Sequence, residues 1–150
     1  MRERVLRDFF EDKATTAELA RDVAGSISQK NHKLSVVSVE DMTEEFKVCA
    51  AMLVHLCDVV LQGELEPDAL HAIGFALMAS DTFCWDGDED DVLANVIADW
   101  SCPEVNYPLT LENVRRFRAW LTRSEPYPQK PALKKGGNII SVTEKKPLRR

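Results

Sequence analysis

The chain has 150 residues, of which 45% are hydrophobic and 29% are charged, and its net charge is −6. These values are typical of a single globular domain that buries a core without disulfides or bound metals. A membrane-spanning chain is not expected, because the most apolar run, 48–61, is too short to cross a bilayer and contains His55 and Asp58. The charged N-terminus lacks the apolar region of a secretory signal, so we expect a cytoplasmic protein.

The charge is unevenly distributed along the chain. Residues 124–150 contain seven basic and two acidic side chains, a net charge of +5, so residues 1–123 carry −11. We therefore predict an acidic helical domain over 1–123 and a mobile basic tail, rich in proline, glycine and lysine, over 124–150. An acidic body favours a basic partner or simply serves solubility. It argues against nucleic-acid binding by the body, which needs a clustered basic face, but leaves such binding open for the tail.

The N-terminal part of the sequence predicts two short helices followed by a loop. Residues 2–12 have an apolar stripe at helical spacing. Thr15 and Glu18 fit a capping box at the start of a second helix, and Gly25 is a natural stop for it. Residues 26–37 are polar and weakly patterned, so we interpret them as a loop with a little extended structure at Leu34 to Val37.

Two apolar helices are predicted for the middle of the chain. The first begins near a capping residue at 38–41 and continues to about Gln62, and it is apolar on so many sides that we expect it at the centre of the molecule. Gly63 then opens a tight connection to a helix that begins at Pro67 and ends near Ser80. A link this short implies an antiparallel helical hairpin.

Two further helices complete the predicted domain. The fifth is capped by Asp88 and has Trp100 on its inner face, and prolines make 101–108 non-helical. Thr110 caps the sixth, whose remaining surface is lined by four arginines: Arg115, Arg116, Arg118 and Arg123. The chain as a whole predicts an all-α, single-domain bundle of about six helices, with strand content near zero.

The most distinctive local feature is an acidic loop between Ser80 and Asp91. Its six acidic residues are Asp81, Asp86, Asp88, Glu89, Asp90 and Asp91. Carboxylates at a helix N-terminus stabilise the helix through its dipole by about 0.3–1 kcal/mol each, which accounts for 88–91 without any function. The same interaction does not account for Asp81 or Asp86, nor for Phe83 and Trp85, which we expect to be exposed.

An aromatic side chain flanked by carboxylates is typical of a surface that contacts lysine and arginine. We therefore predict that the acidic loop binds a basic partner protein. The candidate partner-binding residues are Asp81, Phe83, Trp85, Asp86, Asp88 and Asp90.

Metal and catalytic sites are not indicated. Asp86, Asp88 and Asp90 have the alternate spacing of an EF-hand loop, but the required glycine and final glutamate are replaced by Asp91 and Ile97. No nucleophile or phosphate-binding motif occurs. We predict no catalytic residue, no metal and no cofactor.

One histidine cluster and the cysteines complete the candidate chemistry. A metal site or a general base could be formed only by His55, Asp58 and His71. We interpret these residues instead as a solvent-exposed polar strip along a pair of helices. No two cysteines form a C-x-x-C pair. We expect Cys49 and Cys57 to be buried.

The N-terminal helices allow a second functional hypothesis. Residues 16–20 resemble the first helix of a helix-turn-helix unit, although residues 26–33 lack the periodicity of a recognition helix. The alternative to a protein-binding module is therefore a DNA-linked regulatory protein that uses the N-terminal helix pair and the basic tail.

Residues 6–19 also contain a short helix ending in Phe9 and Phe10, a small turn, Thr15, and then Glu18 and Leu19. This stretch resembles the opening of bacterial colicin-like immunity proteins. The resemblance implies a small acidic helical bundle that neutralises a basic toxin domain without catalysis. It assigns no functional residue, and it agrees with an inhibitor whose acidic loop faces a basic cleft.

Overall fold

The computed structural model describes residues 1–31, 34–86 and 91–128. These residues form six α-helices: α1 Glu3–Phe10, α2 Thr16–Ser26, α3 Ala50–Leu61, α4 Ala69–Ala79, α5 Asp91–Ser101 and α6 Leu111–Leu121. They also form four short strands: β1 Ile27–Asn31, β2 Leu34–Val37, β3 Phe46–Lys47 and β4 Phe83–Cys84. The predicted helical class is confirmed, whereas the prediction of almost no strand is wrong. None of the described helices is long and apolar enough to cross a membrane.

Local side-chain chemistry sets several helix ends as predicted. The backbone N–H of Thr15 donates to the Glu18 carboxylate at 2.9 Å, and the N–H of Glu18 donates to the Thr15 hydroxyl at 3.1 Å. This reciprocal pair is the predicted capping box. The Thr110 hydroxyl likewise accepts from the N–H of Asn113 at 3.1 Å and caps α6. Gly63 follows α3 with a φ of +81°, a conformation that glycine adopts without steric cost.

The long central helix predicted from 38–41 to Gln62 is wrong in its first half. Helix α3 begins at Ala50, and the preceding β3 pairs in parallel with β4. The backbone N–H groups of Phe46 and Val48 donate to carbonyl oxygens of Thr82 and Cys84 at 2.9 and 2.7 Å. This segment therefore satisfies its backbone with partners more than thirty residues away, a tertiary effect that overrides local helix propensity.

The segment 26–37 contains a β-hairpin. The extended structure expected at Leu34–Val37 is confirmed as β2, whereas the loop expected before it is wrong, because Ile27–Asn31 form β1. Helix α2 leads directly into β1, and β1 pairs antiparallel with β2, with Ile27 opposite Val37. The β-branched residues at these paired ends favour extended backbone.

The core is built by close packing of α4 on α5 and of α3 on α6. A side chain at Gly74 of α4 would place its Cβ only 2.6 Å from Cβ of Trp100 on α5. Glycine therefore allows these helices to approach closely. Trp100 is fully buried, as predicted, and its ring meets Phe117 of α6 edge to face at 6.1 Å. In α4, seven of the eleven residues are buried, whereas in α3 only five of the twelve are. Helix α4 therefore occupies the inner position that was expected of α3.

Candidate functional site

The two aromatic residues of the acidic loop are interior side chains. Phe83 is 0% exposed and Trp85 is 3% exposed, so the prediction that they are displayed on the surface is wrong. Phe83 lies in β4, and its ring meets those of Phe46 and Phe10 edge to face at 6.1 and 6.5 Å. The pairing of β4 with β3 thus turns this aromatic residue into the core, where edge-to-face contacts stabilise it.

The carboxylates of the acidic loop do reach the surface where they are described. Asp81 is exposed. The Asp86 carboxylate accepts a hydrogen bond from Nζ of Lys47 at 2.9 Å. Both side chains of this pair remain solvent-accessible, so it contributes at most about 1 kcal/mol. Asp88 and Asp90, including the predicted helix cap, lie outside the described residues.

The histidine cluster does not assemble. The His55 ring stacks on Phe9 at 4.7 Å, and Nδ1 of His71 lies 3.4 Å from the Trp100 carbonyl oxygen. The Asp58 carboxylate accepts from Nε of Arg118 at 2.5 Å, and this hydrogen bond raises the pKa of the guanidinium. Among the described residues, no group of three histidine, cysteine or acidic side chains is arranged to hold a metal ion.

The cysteines divide between interior and surface. Cys57 is buried as predicted, whereas Cys49, the residue that precedes α3, is exposed and contradicts the prediction. Burial raises the pKa of the Cys57 thiol, and the neighbouring Asp58 carboxylate adds to the effect. A thiol held in its protonated form is a poor nucleophile, so Cys57 is a packing residue.

A buried polar network joins α1 to the segment between α4 and β4. The fully buried Glu3 carboxylate accepts hydrogen bonds from the hydroxyls of Ser80 and Thr82 at 2.5 and 2.8 Å. The Ser80 oxygen in turn accepts from the backbone N–H groups of Thr82 and Phe83, each at 3.0 Å. Since both the proton and the lone pairs of this hydroxyl are engaged, Ser80 acts as a structural link rather than as a nucleophile.

Residues 124–128, the first part of the predicted tail, contact the body. The Tyr127 hydroxyl donates to the buried Asp99 carboxylate at 2.6 Å, and its ring meets that of Trp120 at 4.9 Å. Burial raises the pKa of Tyr127, and the hydrogen bond to Asp99 adds to the shift. Residues 129–150 of the predicted tail lie outside the described residues.

A surface cleft of about 460 Å³ lies between the C-terminal ends of α4 and α5. We call it the α4–α5 cleft, and the residues that line it are Phe75, Met78, Ala79, Ser80, Asp81, Ser101 and Cys102. Phe75 is 41% exposed, an unusual degree of exposure for a large aromatic side chain. The cleft thus combines an exposed ring with an exposed carboxylate, as had been expected of the acidic loop.

Sequence reasoning missed Phe75, although a signal for its exposure was present. The sequence predicts a core face of Leu70, Ile73, Leu77 and Met78 for this helix, and of these Met78 is only half-buried and lines the cleft. Phe75 follows Ile73 by two positions, which places it about 200° around the helix axis and therefore on the opposite side. An aromatic residue outside the apolar stripe of a buried helix is a candidate contact residue.

A second depression, of about 300 Å³, is lined by residues of both charge signs. Three arginines of the α1 region line it, together with Glu40, Asp41 and Glu44. Arg2 forms an ion pair with Asp22 at 3.0 Å, and Arg7 forms one with Asp8 at 3.1 Å. These counter-charges make the depression poorly suited to a phosphate group.

The structure places a β-hairpin where a helix-turn-helix unit requires its recognition helix. Helix α2 continues into β1, and the next helix begins only at Ala50. The described residues between α2 and α3 therefore supply no helix that enters a major groove. The N-terminal helix pair does not support the DNA-linked alternative.

No protein-family model, curated protein or solved structure matches this chain. No residue role is therefore carried over from a relative. The function is therefore inferred from the charges, exposures and contacts of the chain's own residues.

Proposed function

We propose that this protein is a non-catalytic binding module for a basic partner protein, and that the α4–α5 cleft is its main contact site. The observation that supports this most directly is the presence of exposed Phe75 and exposed Asp81 in one cleft of about 460 Å³. Aromatic side chains in recessed surface sites provide much of the affinity of protein interfaces. A carboxylate beside the ring favours a partner of positive charge.

The charge of the whole domain supports the same class of partner. Residues 1–123 carry a net charge of −11, and the acidic residues Asp81 and Asp86 both reach the surface. An acidic surface of this kind raises the association rate of a basic protein and makes that rate sensitive to salt. In this proposal, the acidic loop, including Asp88 and Asp90, guides the partner to the cleft.

The internal contacts of the polar residues also favour binding over catalysis. Asp58 pairs with Arg118, and the Glu3 carboxylate accepts hydrogen bonds from Ser80 and Thr82. Each of these groups has a structural role that accounts for its position. The α4–α5 cleft, in contrast, combines an exposed aromatic ring with an exposed carboxylate.

Within this class, we propose an immunity-type inhibitor in the cytoplasm of a bacterium. The basis is the resemblance of residues 6–19, which form most of α1, a turn and the start of α2. Such an inhibitor would cover the basic cleft of a toxin, with its carboxylates taking the place of phosphate oxygens. In this complex Phe75 supplies the aromatic contact that the sequence predicts for Trp85.

The test is calorimetric binding to the purified basic protein encoded beside this one, at about 50 mM and about 300 mM salt. We expect binding that weakens with salt, and an affinity roughly tenfold lower for Phe75→Ser, since an interface anchor contributes more than about 1 kcal/mol. Leu111→Ser is the matched control, because Leu111 is similarly exposed, at 45%, and lies on α6.

A second pair of variants tests the carboxylates. We expect Asp81→Asn, and Asp86→Asn combined with Asp88→Asn, to reduce both the affinity and its salt dependence, whereas Glu64→Gln leaves them unchanged. Absence of binding to the basic neighbour refutes the inhibitor proposal. Binding that is indifferent to Phe75 and to these aspartates refutes the proposed contact site.

A further inference from the structure

We propose that the α4–α5 cleft binds one long cationic side chain, an arginine or a lysine, that projects from the partner. This inference presupposes the proposed protein-binding function and assigns a ligand chemistry to its site. It follows from the way the helices form the cleft and from the kind of groups they place in it.

The cleft lies beside the point where the two helices approach closely. Gly74 allows α4 to lie against Trp100, since the Cβ of any other residue at this position would lie 2.6 Å from the Trp100 Cβ and 2.8 Å from the backbone nitrogen of Ser101. The next residue in α4, Phe75, lines the cleft together with Ser101 and Cys102 at the end of α5. An open recess of about 460 Å³ at this place offers room for a side chain that projects from a partner.

The apolar part of the cleft suits a long aliphatic stem. Met78 and Ala79 line it beside the Phe75 ring. Lysine and arginine bury their methylene groups along apolar surface and keep the charged head in a polar environment. Phe75 adds a ring that attracts a cation through its negative face.

The polar part of the cleft favours a group that only donates hydrogen bonds. Asp81 contributes a carboxylate, which only accepts. The Ser101 hydroxyl donates to the carbonyl oxygen of Ala98 at 2.8 Å, which leaves its oxygen as an acceptor. None of the described residues that line the cleft is basic. Guanidinium and ammonium groups have donors and no acceptor, so they match this set, whereas a phosphate or a carboxylate does not.

The test is a titration of the full chain, followed by ¹H–¹⁵N NMR, with N-acetyl-arginine amide, N-acetyl-lysine amide and N-acetyl-citrulline amide. Citrulline has nearly the shape of arginine but carries no charge. We expect saturable shifts at Phe75, Ala79, Ser101 and Cys102 with one or both cations, and markedly weaker binding of the citrulline compound. The compound that binds with the higher affinity, the arginine or the lysine amide, identifies the preferred head group.

Two exposed positions provide the variants. We expect Asp81→Asn to weaken cation binding roughly threefold, as for an exposed ion pair, and Phe75→Ser to weaken it by a similar factor through the lost ring contact. The matched controls Glu64→Gln and Leu111→Ser should bind as the parent protein does. Equal binding of citrulline, shifts centred outside the cleft, or full binding by Asp81→Asn overturns the inference.

A capped hexa-arginine peptide, followed by calorimetry at two salt concentrations, separates this inference from the broader function. Salt-dependent peptide binding without shifts in the cleft overturns the cleft assignment and retains an acidic module for basic partners. Absence of peptide binding, together with absence of cleft shifts, refutes both. Peptide binding that is weakened by Asp81→Asn, together with cleft shifts, supports both.

Discussion

Phe75 and Phe83 have opposite surroundings along the chain and opposite positions in the molecule. Phe75 lies within the apolar helix α4, yet 41% of it is exposed. Phe83 lies among the aspartates of the acidic loop, yet it is fully buried. Judged by their neighbours in the sequence, the first belongs in the core and the second on the surface.

The difference shows that backbone direction and pairing decide exposure more than local composition does. The helical period turns Phe75 away from the apolar stripe that includes Ile73. Pairing of β4 with β3 turns Phe83 towards Phe10 and Phe46. The direction in which a side chain leaves the backbone is therefore a better guide to a binding surface than the composition of the segment around it.

The largest effect is expected from shortening these two side chains. Phe83→Ala should reduce the free energy of unfolding by about 3–5 kcal/mol, because it removes a fully buried ring and leaves a cavity. Phe75→Ala should change it by less than about 0.5 kcal/mol, since much of this ring is already in water. Urea unfolding of both variants measures the contrast. Equal losses would mean that the two rings do not differ as described.

A smaller effect is expected where α4 meets α5. Gly74→Ala should destabilise the protein by about 1–3 kcal/mol, because the added Cβ meets the backbone and Cβ of the neighbouring helix. Gly25→Ala is the matched control, since nothing lies within 4 Å of a Cβ at that position in α2. We expect the control to gain up to about 1 kcal/mol through helix propensity. A neutral Gly74→Ala in thermal unfolding would contradict the close approach that forms the cleft.

The smallest effect is expected at the contact between Tyr127 and the body. Tyr127→Phe should lower stability by about 1–2 kcal/mol near pH 7, because the buried Asp99 carboxylate loses a donor.

The pH dependence of the same variant sharpens this prediction. The pKa of Tyr127 is raised above its ordinary value of 10.0. The native state therefore keeps a proton that the unfolded state releases above about pH 10, and the stabilisation is complete below that pH and declines above it. Between about pH 9 and pH 11, the parent protein should lose more stability than Tyr127→Phe. Parallel pH profiles for the two proteins would show that this hydroxyl is not held against Asp99.

Features that depend on nearby residues were predictable from the sequence. The Thr15–Glu18 capping box and the Thr110 cap both form between residues three positions apart. The burial of Trp100 followed from the apolar period of its own helix. In the candidate site, the surface position of Asp81 was predicted, whereas the exposure of Phe75 was not.

Features that depend on distant residues were not predictable in the same way. The extended segment around Phe46 exists because it pairs with β4, and the Lys47–Asp86 ion pair spans 39 positions. The Glu3–Ser80 hydrogen bond spans 77. The periodicity of one segment contains no information about which distant segment it pairs with. Local patterns therefore predicted a helix around Phe46 and an exposed loop around Phe83.

The sequence by itself determined the helical class, several helix ends and the acidic charge of the body, because each of these depends on residue type or on contacts within about one helical turn. Only the tertiary structure decided that Phe83 and Trp85 are buried and that α4 and α5 meet beside a cleft. The physical reason is that the stabilisation from these contacts arises only when segments far apart in the chain are brought together and apolar surface is removed from water.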